Sequence, residues 1–180
     1  EGNAAKWLVN DWQIAGIAVF QSGLPFSVVY TPGNTINNRA NFVPGFSGDV
    51  ELSGSSSSRL TRYFNTSAFV PSCPQATAGV CSTTVVGVAT NPNFDATSPW
   101  GNTRRNFLTG PGQKNVDLSV IKLLPFTEQV RGELRFEFFN LFNWVNYANP
   151  VSNIALGNFG QITSASTGPR VIQLGFKLNF

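Results

Sequence analysis

The chain has 180 residues, a net charge of +3, no histidine and only two cysteines; its length suits one domain with a sizeable core, and its 42% apolar content excludes a disordered chain. Only 12% of residues are charged, about half the roughly 25% of soluble domains, and polarity comes instead from Asn, Ser, Thr, Gln and Gly. The twelve basic residues are scattered, which excludes a nucleic-acid-binding stripe, and no apolar run reaches the roughly 18 residues of a transmembrane helix.

The chain opens Glu1-Gly2-Asn3 with no Met and no signal-peptide pattern. It reads as a piece of a longer protein, any targeting segment lying upstream. Residues 12–30, "WQIAGIAVFQSGLPFSVVY", set Trp12, Ile14, Gly16, Ala18 and Phe20 in alternation, with Ile17 and Val19 blurring the other set. β-branched and aromatic residues dominate, which predicts a long strand with a kink at Gly23.

Residues 31–113 form a long connection in which Gly, Pro, Ser, Thr and Asn predominate, "SGSSSS" at 53–58 being the most linker-like part. Loops of this length are uncommon in compact soluble domains and ordinary on the extracellular side of outer-membrane barrels. Two aromatic islands, "RYFNTSAFV" (62–70) and "SPWGNTRRNFL" (98–108), are expected to dock onto other parts of the fold. Between them "PSCPQATAGVC" carries Cys73 and Cys81. Two cysteines this close favour a local disulfide over a metal site, which needs more ligands; two free thiols are the alternative. A disulfide would imply an oxidising compartment.

In "KNVDLSVIKLLPF" (114–126), Val116, Leu118 and Val120 alternate with Asn115, Asp117 and Ser119. In "VRGELRFEFFNLF" (130–142), Leu134, Phe136 and Phe138 alternate with Glu133, Arg135 and Glu137. A helix through the second segment would stack Leu134, Phe138, Leu141, Phe142 and Val145 but leave Phe136 and Phe139 off the stripe, so a strand is preferred, with a short helical turn after Asn140 as an addition. "FTEQ" (126–129) is then a tight turn. Opposed residues of a hairpin share a face. Both apolar sets are even-numbered, so the loop must hold an odd number of residues, three or five. A polar connection over 143–169 leads to the closing strand, 170–180, in which Ile172, Leu174, Phe176, Leu178 and Phe180 are all apolar.

The prediction is therefore all-β: an antiparallel meander of strands near 12–30, 114–126, 130–142 and 170–180, with loops at 31–113 and 143–169. A soluble sandwich would bury the apolar face against a second sheet. A membrane barrel would turn it to lipid and the polar face to the lumen. The barrel is favoured because the last strand has the roughly 9–11 residues of a tilted membrane crossing and because short turns alternate with long loops. Four strands cannot close a barrel, so the chain would be the terminal staves of a larger one or would need partners.

No catalytic constellation is present. Without histidine there is no His-based triad or metal site, and no cofactor is implied. Glu133 and Glu137 flank Arg135 on one face; two carboxylates would suit glycosidase chemistry, but the intervening cation holds both ionised, so a structural charge ladder in the lumen is expected and the chain is read as no enzyme. Arg104 and Arg105 would contact an anionic substrate at the outer mouth or else anchor their loop. Tyr63, Trp100, Trp144 and Tyr147 would stack on a flat ligand, or else pack the loops or line an interfacial aromatic belt. Lys122 has lipid-face parity and would snorkel to periplasmic headgroups unless a bulge near Leu123–Leu124 reversed it. "GPG" at 110–112 is a turn and not a phosphate loop.

Gln173, Gly175, Leu178 and Phe180 resemble the C-terminal β-signal read by the outer-membrane assembly machinery. "DWQIAGIAVFQSGLPFSV", "YFNTSAF", "GNTRRNFLTGPGQKNVDLSVIK", "RFEFFNLFNWVNYANP" and "FGQITSASTGPRVIQLGFKLNF" together resemble the C-terminal barrel region of TonB-dependent receptors, closest to the Oar-like group whose plug follows a carboxypeptidase-regulatory-like domain. The resemblance runs from about Trp12 to Phe180. It implies a plugged barrel of about 22 strands in the Gram-negative outer membrane, contacting lipid and lipopolysaccharide, coupled to the TonB complex through an upstream part and passing a substrate of unnamed class. A non-transporting barrel or surface adhesin, and a soluble all-β ligand-binding module, are the alternatives.

Overall fold

The computed structural model of the chain describes residues 9–31, 38–72 and 101–180. Its strands in chain order are β1 (Trp12–Gln21), β2 (Pro25–Phe26), β3 (Val29–Tyr30), β4 (Asn38–Arg39), β5 (Asn41–Phe42), β6 (Phe69–Val70), β7 (Leu108–Thr109), β8 (Gln113–Pro125), β9 (Arg131–Phe139) and β10 (Val171–Asn179). Two short 3-10 segments, Ser56–Arg59 and Thr66–Ala68, lie between β5 and β6. The described residues group into two compact units. One comprises the residues up to Gln21, Gln113–Asn146 and Thr167–Phe180; the other falls within Ser22–Gly112 and Tyr147–Ser166.

The first unit is a four-stranded sheet in the order β1-β8-β9-β10, with every neighbouring pair antiparallel. Strand residues alternate between faces, and the register keeps parity across all four strands. Ile14 pairs with Val120, Val120 with Phe136, and Phe136 with Leu174. The next row runs Gly16, Leu118, Phe138 and Ile172. One face is thus built from even-numbered apolar residues, and the other carries most of the polar and charged ones. The β8–β9 hairpin closes with Pro125 opposite Arg131, leaving the five residues 126–130 in the loop, an odd number as parity requires. The Phe126 and Thr127 amides both donate to the Val130 carbonyl, at 3.1 and 3.0 Å.

The strand expected over 12–30 is divided. β1 ends at Gln21, and β2 and β3 belong to the second unit. Gly23 explains the break. A Cβ there would lie 1.7 Å from the Gly110 carbonyl oxygen, so only glycine permits the approach, and the Gly110 amide then donates to the Leu24 carbonyl at 3.0 Å. The backbone leaves the sheet at this point to pair Phe26 with Leu108.

The long connections, expected as loops, build a core in the second unit. Val28, Ala40, Phe64, Ala68, Phe69 and Ile154 are fully or almost fully buried, with Phe26, Tyr63, Leu108 and Ile162 close behind. Phe64 meets Phe69 edge-on at 5.7 Å and Phe159 at 5.2 Å, and Phe42 stacks on Phe69 at 5.4 Å. The island at 62–70 is therefore the centre of this core, and Leu108 of the second island joins it. Regular ladders are short here, so asparagine side chains extend them. Asn153 accepts from the Thr31 amide at 3.0 Å and donates to the Thr31 carbonyl at 3.1 Å. Asn41 accepts from the Asn102 amide, and Asn102 from the Phe42 amide, both at 2.8 Å. A side-chain amide offers a donor and an acceptor like a peptide group, which gives the Asn-rich composition a structural purpose.

Candidate functional site

The even face of the sheet is apolar and uncovered. Ile14 is 72% exposed, Phe20 69%, Leu174 70% and Phe176 59%. Gly132 on this face is required to be small, since a Cβ there would lie 2.8 Å from the Phe126 ring and 3.2 Å from that of Phe176. An apolar sheet face this open has little use in water and the right character for a non-aqueous surrounding.

The odd face carries the expected ladder. Arg135 donates to Glu133 Oε1 through Nη2 at 2.5 Å and Nε at 3.1 Å, and its Nη1 lies 3.9 Å from Glu137 Oε1. Lys177 stands opposite Glu133, Gly175 opposite Arg135 and Gln173 opposite Glu137. Charge therefore alternates along β9, and of the three β10 residues opposite it only Lys177, facing Glu133, is charged.

At the end of the sheet where β9 leaves for the long connection, three asparagines that the sequence reading passed over set the geometry. Asn140, in the left-handed region with φ 53°, donates to the Trp144 carbonyl and accepts from the Trp144 amide, each at 2.9 Å. Asn143, also with φ 53°, closes a turn on the Asn140 carbonyl at 2.8 Å and accepts from the Arg170 amide at 3.1 Å. The chain does turn after Asn140, but as a hydrogen-bonded turn and not as the short helical turn expected there. Asn146, buried, accepts from the Lys114 amide at 2.8 Å and donates to the Lys114 carbonyl at 2.9 Å. The three-residue spacing in "FNLFNWVN" was the available signal. Together they place the Trp144 ring 4.8 Å from Phe142 and 6.1 Å from Phe20, with the Lys114 ammonium 4.6 Å over its centroid.

Lys122 marks the opposite end of the even face. The register through Leu123 and Leu124 is regular, so no bulge reverses its parity. It does not extend outward as expected. It is 5% exposed, its ammonium donates to the Asn10 carbonyl and it lies 5.3 Å from the Trp12 ring centroid.

The proposed loop contacts separate. Tyr63 is buried in the core of the second unit, with the Arg59 guanidinium 4.4 Å over its ring, and Tyr147 packs against the same core. Burial pushes the nearby Tyr30 phenol above its usual range. Arg59 also ties down the Leu52 and Tyr63 carbonyls at 2.6 and 3.2 Å, beside a cavity of about 280 Å³ lined by Phe26, Glu51, Tyr63, Leu108 and Thr109 among others. Arg104 and Arg105 are exposed. Trp144 belongs to the sheet unit. Gln173 and Gly175 lie on the odd face of β10, Leu178 on the even face, and Phe180 follows the strand and is exposed. Trp100, Cys73 and Cys81, with the disulfide expected between them, lie outside the described residues.

Among the described residues no helix is long and apolar enough to cross a membrane, which leaves crossing by strands open. A family model described as "Outer membrane beta barrel domain" matches residues 1–173. No curated protein and no solved structure matches the chain.

Proposed function

The chain belongs to the outer membrane beta barrel domain family, and from that premise we propose that it supplies four neighbouring staves of a TonB-dependent transporter that passes a substrate across the outer membrane. The observation that carries the reading is the unbroken parity of the sheet. An open apolar face runs through all four strands, against a reverse face carrying the Glu133–Arg135–Glu137 ladder. Lipid suits the first face and a wet or plugged lumen the second. The second unit, with its own core, suits a folded extracellular region in which loop residues such as Arg104 and Arg105 receive the substrate. Gln173, Gly175, Leu178 and Phe180 serve as the segment read by the assembly machinery.

Two measurements test the two levels of this reading. Fractionation of the full-length protein tests the barrel: recovery in the soluble fraction without detergent would remove it. Uptake measured with and without a functional TonB complex tests transport. Uptake that persists without TonB, or an upstream region lacking a plug, would leave a non-transporting barrel or adhesin.

A further inference from the structure

We infer that the cavity of the second unit is a binding site for a zwitterionic amino acid with an apolar side chain, Arg59 taking its carboxylate and Glu51 its ammonium. The inference goes beyond the transport reading and does not rest on it, because every wall of the cavity belongs to the second unit. The cavity measures about 280 Å³, close to the smallest small-molecule sites. Phe26, Phe64 and Leu108 give it a buried apolar wall, and Glu51 on its rim is exposed. Its two charged residues do not satisfy each other. Both ion pairs among the described residues are made by Arg135 in the sheet, so neither Arg59 nor Glu51 has one. Arg59 Nη1 donates only to the neutral carbonyls of Leu52 and Tyr63, and Nε is buried with no hydrogen-bond partner. A buried donor left unanswered is costly, and an anion beside the guanidinium would offset that cost.

Both groups are positioned by the backbone around them. Glu51 bridges Phe64 in antiparallel fashion, so the two side chains share a face. Asn65 fixes the same segment, its amide donating to the Val50 carbonyl at 2.8 Å and its side chain to the Asp49 carbonyl at 3.2 Å. Arg59 ends the 3-10 segment Ser56–Arg59, whose cap Ser55 accepts from the Ser58 amide at 3.3 Å, and its guanidinium rests on the Tyr63 ring. The serine run that reads as a linker is thus the scaffold that delivers Arg59. A simple anion would answer Arg59 and leave Glu51 unpaired, and a simple cation would do the reverse. A neutral sugar would desolvate both charges without neutralising either. An α-amino acid carries both charges and its side chain on one carbon, which answers two opposite charges and an apolar wall within one small cavity.

The test is calorimetric titration of the purified full-length protein in detergent with three ligands: L-leucine, N-acetyl-L-leucine, which lacks the ammonium, and L-leucinamide, which lacks the carboxylate. L-Leucine is expected to bind saturably, and each derivative about tenfold or more weakly by comparison. Glu51→Gln should weaken L-leucine to the level of N-acetyl-L-leucine without weakening N-acetyl-L-leucine itself. Arg59→Gln should act in the same way on L-leucine and spare L-leucinamide. Because Arg59→Gln also releases the Leu52 and Tyr63 carbonyls, the Glu51 arm decides the matter if that variant does not fold. No binding of L-leucine overturns the inference. Equal binding of all three ligands reduces the cavity to an apolar pocket and overturns it too, as does a Glu51→Gln variant that weakens all three alike. Failure of the fractionation or uptake tests given above would leave the amino-acid site standing, and failure here would leave those readings untouched.

Discussion

Lys122 of β8 faces Trp12 of β1 directly across the strands, with its ammonium 5.3 Å from the indole centroid and bonded to the Asn10 carbonyl. This lysine holds the entry of β1 to the sheet. A hydrogen bond from a charged donor contributes about 1.5–3 kcal/mol. Lys122→Met keeps the stem but strands the carbonyl. Amide exchange at Trp12, Gln13 and Ile14 should then speed by roughly tenfold or more, about 1.4 kcal/mol, while the β9–β10 amides stay protected. Exchange unchanged at β1 would show the contact to be idle.

Much of the sheet was readable from its period of two. The residues of β8, β9 and β10 fall within or one residue beyond the predicted spans, and hairpin parity followed from even-numbered apolar sets. What failed was anything set by distant partners. The end of β1 depends on Gly110 meeting Gly23, and the burial of Lys122 depends on Asn10, 112 residues away. The core of the second unit joins Phe26, Phe64, Leu108 and Ile154 from segments with no shared period. Asn140, Asn143 and Asn146 resembled ordinary loop polarity because hydropathy alternation carries no information on side-chain amides that replace backbone partners.

The second unit should unfold apart from the sheet. Phe64 is 1% exposed and sits among Phe26, Phe69 and Phe159. Phe64→Ala removes a large buried ring, which costs about 3–5 kcal/mol. Limited proteolysis should begin within residues 38–72, and the protection of β8–β10 amides should be retained. Simultaneous loss of protection in the sheet would show that the two units fold as one.

Charge order along β9 should matter more than any single charge. Arg135→Glu sets three carboxylates in a row on one strand face, with only Lys177 opposite, and like charges on neighbouring strand positions repel. The heat-modification midpoint of the barrel on gels should fall. The neutral triple variant E133Q/R135Q/E137Q should recover most of it. If the recovered triple lost a hydrolytic activity present in wild type, the ladder would be catalytic after all.

The β10 pattern can be tested by position. Phe180→Ser should lower the amount of full-length protein assembled in the outer membrane without lowering synthesis, since Phe180 makes no buried contact whose loss would destabilise the sheet. Lys177→Gln lies on the same strand outside the pattern and should assemble normally. Equal assembly of the two variants would remove the assembly role from Phe180.

Asn140 combines a backbone demand with a side-chain one, and two substitutions separate them. Its φ of 53° suits glycine and strains alanine, while its side chain makes both bonds to the Trp144 backbone. Asn140→Gly keeps the turn and loses the clamp. Asn140→Ala loses both and should cost a further 1 kcal/mol or so. In each variant Trp144 is released from its fixed place beside Phe142 and Phe20, so its emission, read with the other tryptophans replaced by phenylalanine, should become more quenchable by a water-soluble quencher. The alanine variant should also show faster amide exchange at Leu141, whose amide donates to the Val116 carbonyl at 2.8 Å. If glycine behaves like wild type in quenching, the amide clamp does not position the indole, and the contact of Lys114 with Trp144 must be held by ring packing alone.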